Sequence, residues 1–168
     1  MPGVIIKEEQ TVPAPRDDEA RLRGFIAKFE RKDQALIRAA RRALRKRLPT
    51  AYELVYDNYN FFVIGYSPTE RPSDAVLSLA AGANGLGLCF IHGAKLADPK
   101  KILQGGGRQT RFLRLPTAAV LARRDVARLV DAAVARSRAP FRARGRVRLV
   151  IRSVSKKQRP RRKTRPAA

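Results

Sequence analysis

Glu53 is a carboxylate set among strand-like apolar neighbours, Tyr52, Leu54, Val55 and Tyr56, with Tyr59 just beyond. Such a residue admits two chemistries. It can line a ligand pocket with Tyr56, or it can serve as a structural partner for an arginine of a preceding helix or of 111–114; a paired or solvated glutamate is the commoner outcome. A second candidate is the glycine-rich stretch ending in Gly105-Gly106-Gly107, beside Arg108 and Arg111. Backbone N–H groups without Cβ obstruction, next to guanidinium groups, suit a small phosphate or carboxylate. The spacing matches neither a Walker nor a dinucleotide loop, and glycines of this kind more often serve a connection's geometry. Cys89 and His92 stand three apart, so on a strand they point to opposite faces and form neither a metal site nor a Cys–His pair. Cys89 is expected as a small buried core residue. Asp17, Asp18 and Glu19 are the one acidic cluster, and helix capping accounts for them better than iron ligation. No nucleophile–base pair emerges, so no enzymatic activity and no cofactor are expected.

Charge supplies the strongest functional signal. The chain of 168 residues carries 37 Lys+Arg against 14 Asp+Glu, a formal net charge of +23. Residues 141–168 contain 12 of the basic residues and no acid. Arginine outnumbers lysine 27 to 10, a bias that a GC-rich coding sequence also produces, but such bias does not remove every carboxylate from 28 consecutive positions. A block like this attracts polyanions through its long-range field. Arg146, Arg148, Lys156, Lys157, Arg159, Arg161, Arg162, Lys163 and Arg165 are the candidate contacts there. Arg38, Arg41, Arg42 and Arg45 add a stripe on one face of the second helix. Nucleic acid, bound without sequence readout, is the expected partner; no helix-turn-helix, zinc finger or RNA-binding aromatic motif occurs.

The elements that must position these residues follow from periodicity. Residues 1–16, with Pro2, Pro13 and Pro15, read as an irregular arm. Leu22, Phe25, Ile26 and Phe29 mark an amphipathic helix after Asp17-Asp18, and Ile37, Ala40, Leu44 and Leu48 a second one over about 33–47, stopped by Pro49. Residues 51–56 and 60–66 are rich in β-branched and aromatic types and read as strands. Residues 75–94 lack Asp, Glu, Lys and Arg and have the length of a membrane span, but Asn84-Gly85 at the centre signals a β-hairpin of two strands, 75–81 and 86–91. Residues 111–115 form a further strand, and a last helix covers about 121–136, ended by Pro140. Val147, Leu149 and Ile151 alternate with Arg146, Arg148 and Arg152, which suits an extra edge strand. From Lys156 onward the stretch offers no apolar surface to offset ordering entropy and is expected to be disordered. The order of elements gives an α+β fold: an antiparallel sheet of about five strands, two N-terminal helices and one C-terminal helix packed against it, plus a basic tail. The domain proper is expected over 17–140 and the basic, largely disordered tail over 141–168. The first residues lack both a basic leader and an apolar core of signal length, so a cytoplasmic location is expected.

Ala51-Tyr52-Glu53-Leu54-Val55-Tyr56 after a Pro-ended helix, and above all the run His92-Gly93-Ala94-Lys95-Leu96-Ala97-Asp98-Pro99-Lys100-Lys101-Ile102-Leu103-Gln104-Gly105-Gly106-Gly107 with Arg111 and Leu115 after it, resemble the YdhG-like family of small bacterial domains. The likeness extends over about 17–136 and implies helices packed on an antiparallel sheet. It brings no settled catalytic residues. A frataxin-like iron-handling role, attached to part of that family, is implied as a less favoured alternative; a small-ligand role for the glycine-rich loop is the nearer one. The basic tail lies outside the family pattern.

Overall fold

Asp17 begins the chain described by the computed structural model, which covers residues 17–165; the expected irregular arm, 1–16, lies outside the described residues, as do 166–168. The Asp17 side chain accepts a hydrogen bond from the Ala20 amide at 3.0 Å, the N-cap that its sequence position suggests. Helix α1 spans Asp18–Ile26 and α2 spans Arg31–Arg47. Six strands follow in the described residues: β1 Tyr52–Asp57, β2 Phe62–Ser67, β3 Leu77–Gly82, β4 Gly85–Phe90, β5 Arg111–Arg114 and β6 Arg148–Val154. Helix α3, Arg124–Ala135, lies between β5 and β6. The strands form one sheet in the order β5-β4-β3-β2-β1-β6, antiparallel throughout except that β6 runs parallel to β1. The fold is α+β.

Alternation along the strands sorts the sheet into two faces. Val55 of β1 sits opposite Ile64 of β2, Ile64 opposite Leu79 of β3, Leu79 opposite Leu88 of β4, and Leu88 opposite Leu113 of β5. This row is buried and meets Leu22 and Phe29, Ile37, Ala40 and Leu44, and Val126 and Val130 in one core. The helices therefore share one face of the sheet, as their apolar spacing requires. Phe62 tilts against both Phe25 and Phe29, with ring centroids at 6.2 and 6.0 Å.

Three details depart from expectation. The β3–β4 hairpin turns at Ala83-Asn84, one residue earlier than Asn84-Gly85: Gly82 pairs with Gly85, and Gly85 takes φ +114. Glycine is needed after the turn, where only its φ is left-handed. Cys89 is half-buried on the face away from the helices, because its neighbours Leu88 and Phe90 take the core side. Burial raises its thiol pKa, against a hydrogen bond with Ser78 that lowers it.

The third departure is the C-terminal segment. Residues 148–154 pair with β1 in parallel, with a register irregularity at Val55/Tyr56, and Leu149 and Ile151 pack on the core. The chain beyond Lys156, expected to lack structure, wraps the end of β1. The Ser155 amide donates to the Asp57 carbonyl at 2.9 Å and the Arg159 amide to the Tyr59 carbonyl at 2.8 Å. Arg161 is 4 % exposed and its Nη2 reaches Asp57 Oδ1 at 2.9 Å. Asp57, fully buried, also accepts from Lys28 Nζ at 2.6 Å. Asp57 would be a buried unpaired charge without these cations, so the pairing ties 156–165, poor in apolar side chains, to the end of β1. Replacing Arg161 by Met is expected to lower the free energy of unfolding by about 3 kcal/mol, the low end for a broken buried pair because Lys28 remains. Urea denaturation checks this; a disordered tail would give no change.

Candidate functional site

The second helix carries its arginines toward the sheet rather than wholly toward solvent. Arg41 Nε and Nη2 donate to Glu53 at 3.0 and 2.9 Å, and its Nη1 and Nη2 donate to Glu19 at 3.1 and 2.9 Å. Arg45 Nε donates to Glu53 at 3.0 Å and its Nη2 to Glu19 at 3.2 Å. Tyr66 OH donates to Glu53 Oε2 at 3.0 Å. Glu53 is completely buried. Two carboxylates and two guanidinium groups cancel in charge, which lets the cluster sit under the helices. The Arg41 guanidinium is held protonated by hydrogen bonds to Glu53 and Glu19, against the opposing pull of burial. The hydrogen bond from Arg41 keeps the Glu19 carboxyl below its ordinary range. Burial, then the Glu53 charge, pushes the Tyr66 phenol well up.

This geometry corrects two expectations. Arg41 and Arg45 are committed to carboxylates and do not form a polyanion-binding stripe with Arg38 and Arg42, which are exposed; Arg38 Nη2 donates to Gln34. Glu53 and Tyr56 do not share a pocket: Glu53 faces the helices, and Tyr56, three positions on, lies half-buried on the opposite face. Glu19, expected as part of a cap, instead completes the ion cluster; Asp17 alone of the acidic trio supplies the cap bond.

The glycine-rich loop is braced from within. Asp98 accepts from the Ile102 and Leu103 amides at 3.0 and 2.9 Å, and Gln104 and Phe112 exchange backbone bonds at 2.7 and 3.0 Å. Gly105 takes φ +115, and around Gly106 and Gly107 a Cβ would meet open space. Arg111 Nη1 donates to the carbonyls of Gly107 and Thr110. Its guanidinium thus serves the loop's own acceptors, while Arg108 is exposed.

The described basic residues of the C-terminal segment form a belt. Arg146, Arg148, Lys156, Lys157, Arg159, Arg162, Lys163 and Arg165 are exposed, and so are Arg144 and Arg152, which sequence reasoning did not single out. Arg142 and Arg148 lie over the Tyr52 ring, 5.0 and 5.8 Å from its centroid. Arg159 lies over Tyr59 at 5.7 Å, and Arg162 Nε donates to the Lys28 carbonyl. Arg161 does not belong to the belt: it is the buried partner of Asp57, with Nε and Nη1 unpartnered among the described residues. Among the described residues no three His, Cys, Asp or Glu side chains gather as a metal-ion site, and no helix is long and apolar enough to cross a membrane.

Two outcomes test the ion cluster. Glu53→Gln removes the charge that both arginines require, and a loss of about 3–5 kcal/mol in unfolding free energy is expected from denaturant titration. The Tyr66 proton gives a pH signature. A raised folded pKa means that the contribution is fully present below the unfolded tyrosine pKa of about 10 and is lost as pH rises beyond it. Between about pH 9 and 11, the native chain is expected to lose more stability than Tyr66→Phe, measured by thermal unfolding across that range. Comparison of the chain with family models, with curated proteins and with solved structures gave no match.

Proposed function

We propose that the protein is a non-enzymatic module that binds nucleic acid without sequence readout, through the exposed cations of its C-terminal belt. The observation that carries this reading is the charge of 141–168, 12 basic residues and no acid, in a segment that includes the edge strand β6. Of those cations, Arg161 has a carboxylate partner among the described residues and serves the fold; Arg142 donates to the carbonyls of Thr50 and Arg146. The remainder are exposed, and Arg38 and Arg42 of α2 are exposed as well. Phosphates spaced along a strand match such a belt, and each neutralised phosphate releases counterions. Tyr52 and Tyr59, already stacked with arginines, place flat polarisable surfaces inside the belt. The YdhG-like resemblance agrees with the α+β frame; the small-ligand and iron-handling roles it implies are the alternatives to this reading. A cytoplasmic setting is part of the proposal.

The belt rests on an ordered edge, so the informative variants neutralise charge and keep the chain length. Lys156→Gln, Lys157→Gln, Arg159→Gln, Arg162→Gln and Lys163→Gln together leave Arg161 in place. Fluorescence anisotropy with duplex DNA and single-stranded RNA, across a salt series, is expected to show steep salt dependence for the native chain. In the variant the log–log slope on duplex DNA falls by about 0.9 for each phosphate that is no longer neutralised. Absence of binding by the native chain near physiological salt overturns the proposal.

A further inference from the structure

The ends of four segments meet around a cavity of about 220 Å³, on the side of Tyr66 where the Val76 amide donates to its carbonyl at 2.9 Å. Its inner wall is apolar, made by buried Val76 and Phe90 with Ala133 of α3 and Leu96. Its rim carries Lys95, Arg136 and Arg138, with His92 beside them. None of these three cations lies within 4 Å of a carboxylate among the described residues, whereas Arg41, Arg45, Arg47 and Lys28 all do. Asp74, the one carboxylate of the lining, is engaged by the Thr69 hydroxyl at 2.7 Å.

Local structure holds the cations there. A Cβ at Gly93 would come within 2.6 Å of the Arg111 Cβ, so the single helical turn Gly93–Lys95 packs directly on the start of β5 and fixes Lys95 at the mouth. Past the end of α3, Ser137 Oγ donates to the Ala139 carbonyl at 2.7 Å, a tight turn that holds Arg136 and Arg138 on either side of it. Like charges brought to one partly apolar cavity repel one another more strongly than they would in water, and an anion relieves that. A second cavity, of about 320 Å³, lies between the loop and α3 and has Asp98 and Asp125 beside Lys100, Arg124 and Arg128, so carboxylates offset two of its three cations.

We propose that the first cavity is a site for a small organic dianion of the phosphate-monoester class. Its phosphate is held by Lys95, Arg136 and Arg138 through charge-assisted hydrogen bonds, and its carbon body lies on Val76, Leu96 and Ala133. The volume, below that of a drug-sized pocket, sets the limit on that body. The site is separate from the C-terminal belt and does not depend on nucleic-acid binding.

Calorimetric titration of the full chain with phenyl phosphate and with inorganic phosphate tests this. Phenyl phosphate is expected to bind more tightly, since the ring adds apolar burial. The pair Lys95→Gln and Arg138→Gln is expected to weaken its binding by at least about tenfold, as loss of charged hydrogen bonds does. The pair Lys156→Gln and Lys157→Gln, of the same charge change, should leave it within twofold. Equal weakening by the two pairs would show only a diffuse positive field and overturns the proposal, as does equal affinity for the two anions or no binding of phenyl phosphate at all. Thermal unfolding of each variant confirms that the fold persists, since all four of these side chains are exposed.

Discussion

Glu53 is the point through which the helical layer and the sheet are joined by something more specific than apolar contact. Its carboxylate receives Arg41 and Arg45 from α2 and Tyr66 from β2, while Glu19 of α1 binds the far sides of the same guanidinium groups. Four elements thus converge on a cluster of zero net charge. Apolar packing alone tolerates sliding; this cluster does not. A slip of β1 by one residue would turn Glu53 to the other face and present Leu54 to two arginines. The cluster fixes register and helix placement together, at a desolvation cost that only complete pairing offsets.

The same logic recurs at the far end of β1, where Asp57 collects Lys28 and Arg161. The two clusters explain how a chain with so large an excess of positive charge stays folded. Three of its scarce carboxylates, Glu19, Glu53 and Asp57, are committed to cations that lie in or near the interior. The excess is displaced outward, onto β6 and the segment after it, where water and salt screen mutual repulsion. Interior neutrality and exterior charge are one arrangement. The field available to a partner comes from cations the fold does not use.

The helices, five antiparallel strands and their order were legible because apolar spacing and β-branched runs report local geometry. Pairing partners were less so. Alternation at Val147, Leu149 and Ile151 marks a strand but carries no information on its neighbour, and nothing in it specifies a parallel dock beside β1. The arginine stripe of α2 showed which residues share a face; it could not show that a carboxylate waits opposite two of them. Arg161 sits in a run of like residues, and its burial depends on Asp57, 104 positions away. One signal was present and missed. Leu86, Leu88 and Phe90 alternate with Gly87 and Cys89, so the larger side chains claim the core and Cys89 the other face. The cavity at Lys95 is of the opposite kind, since its walls come from loop ends that periodicity does not describe.

The parallel strand has a kinetic meaning as well. Hairpin-joined strands close short loops and can pair early, whereas β6 meets β1 across a separation of 96 residues, as between Tyr52 and Arg148. The entropy of closing such a loop must be met before its pairing stabilises anything. Without β6, β1 would be an open edge of the sheet, with unpaired backbone groups that another strand could capture. The strand that covers this edge bears Arg148 and Arg152, and like charges on two chains repel. The basic segment therefore both covers the edge of β1 and makes the new outer edge a charged one, which opposes pairing with a second copy.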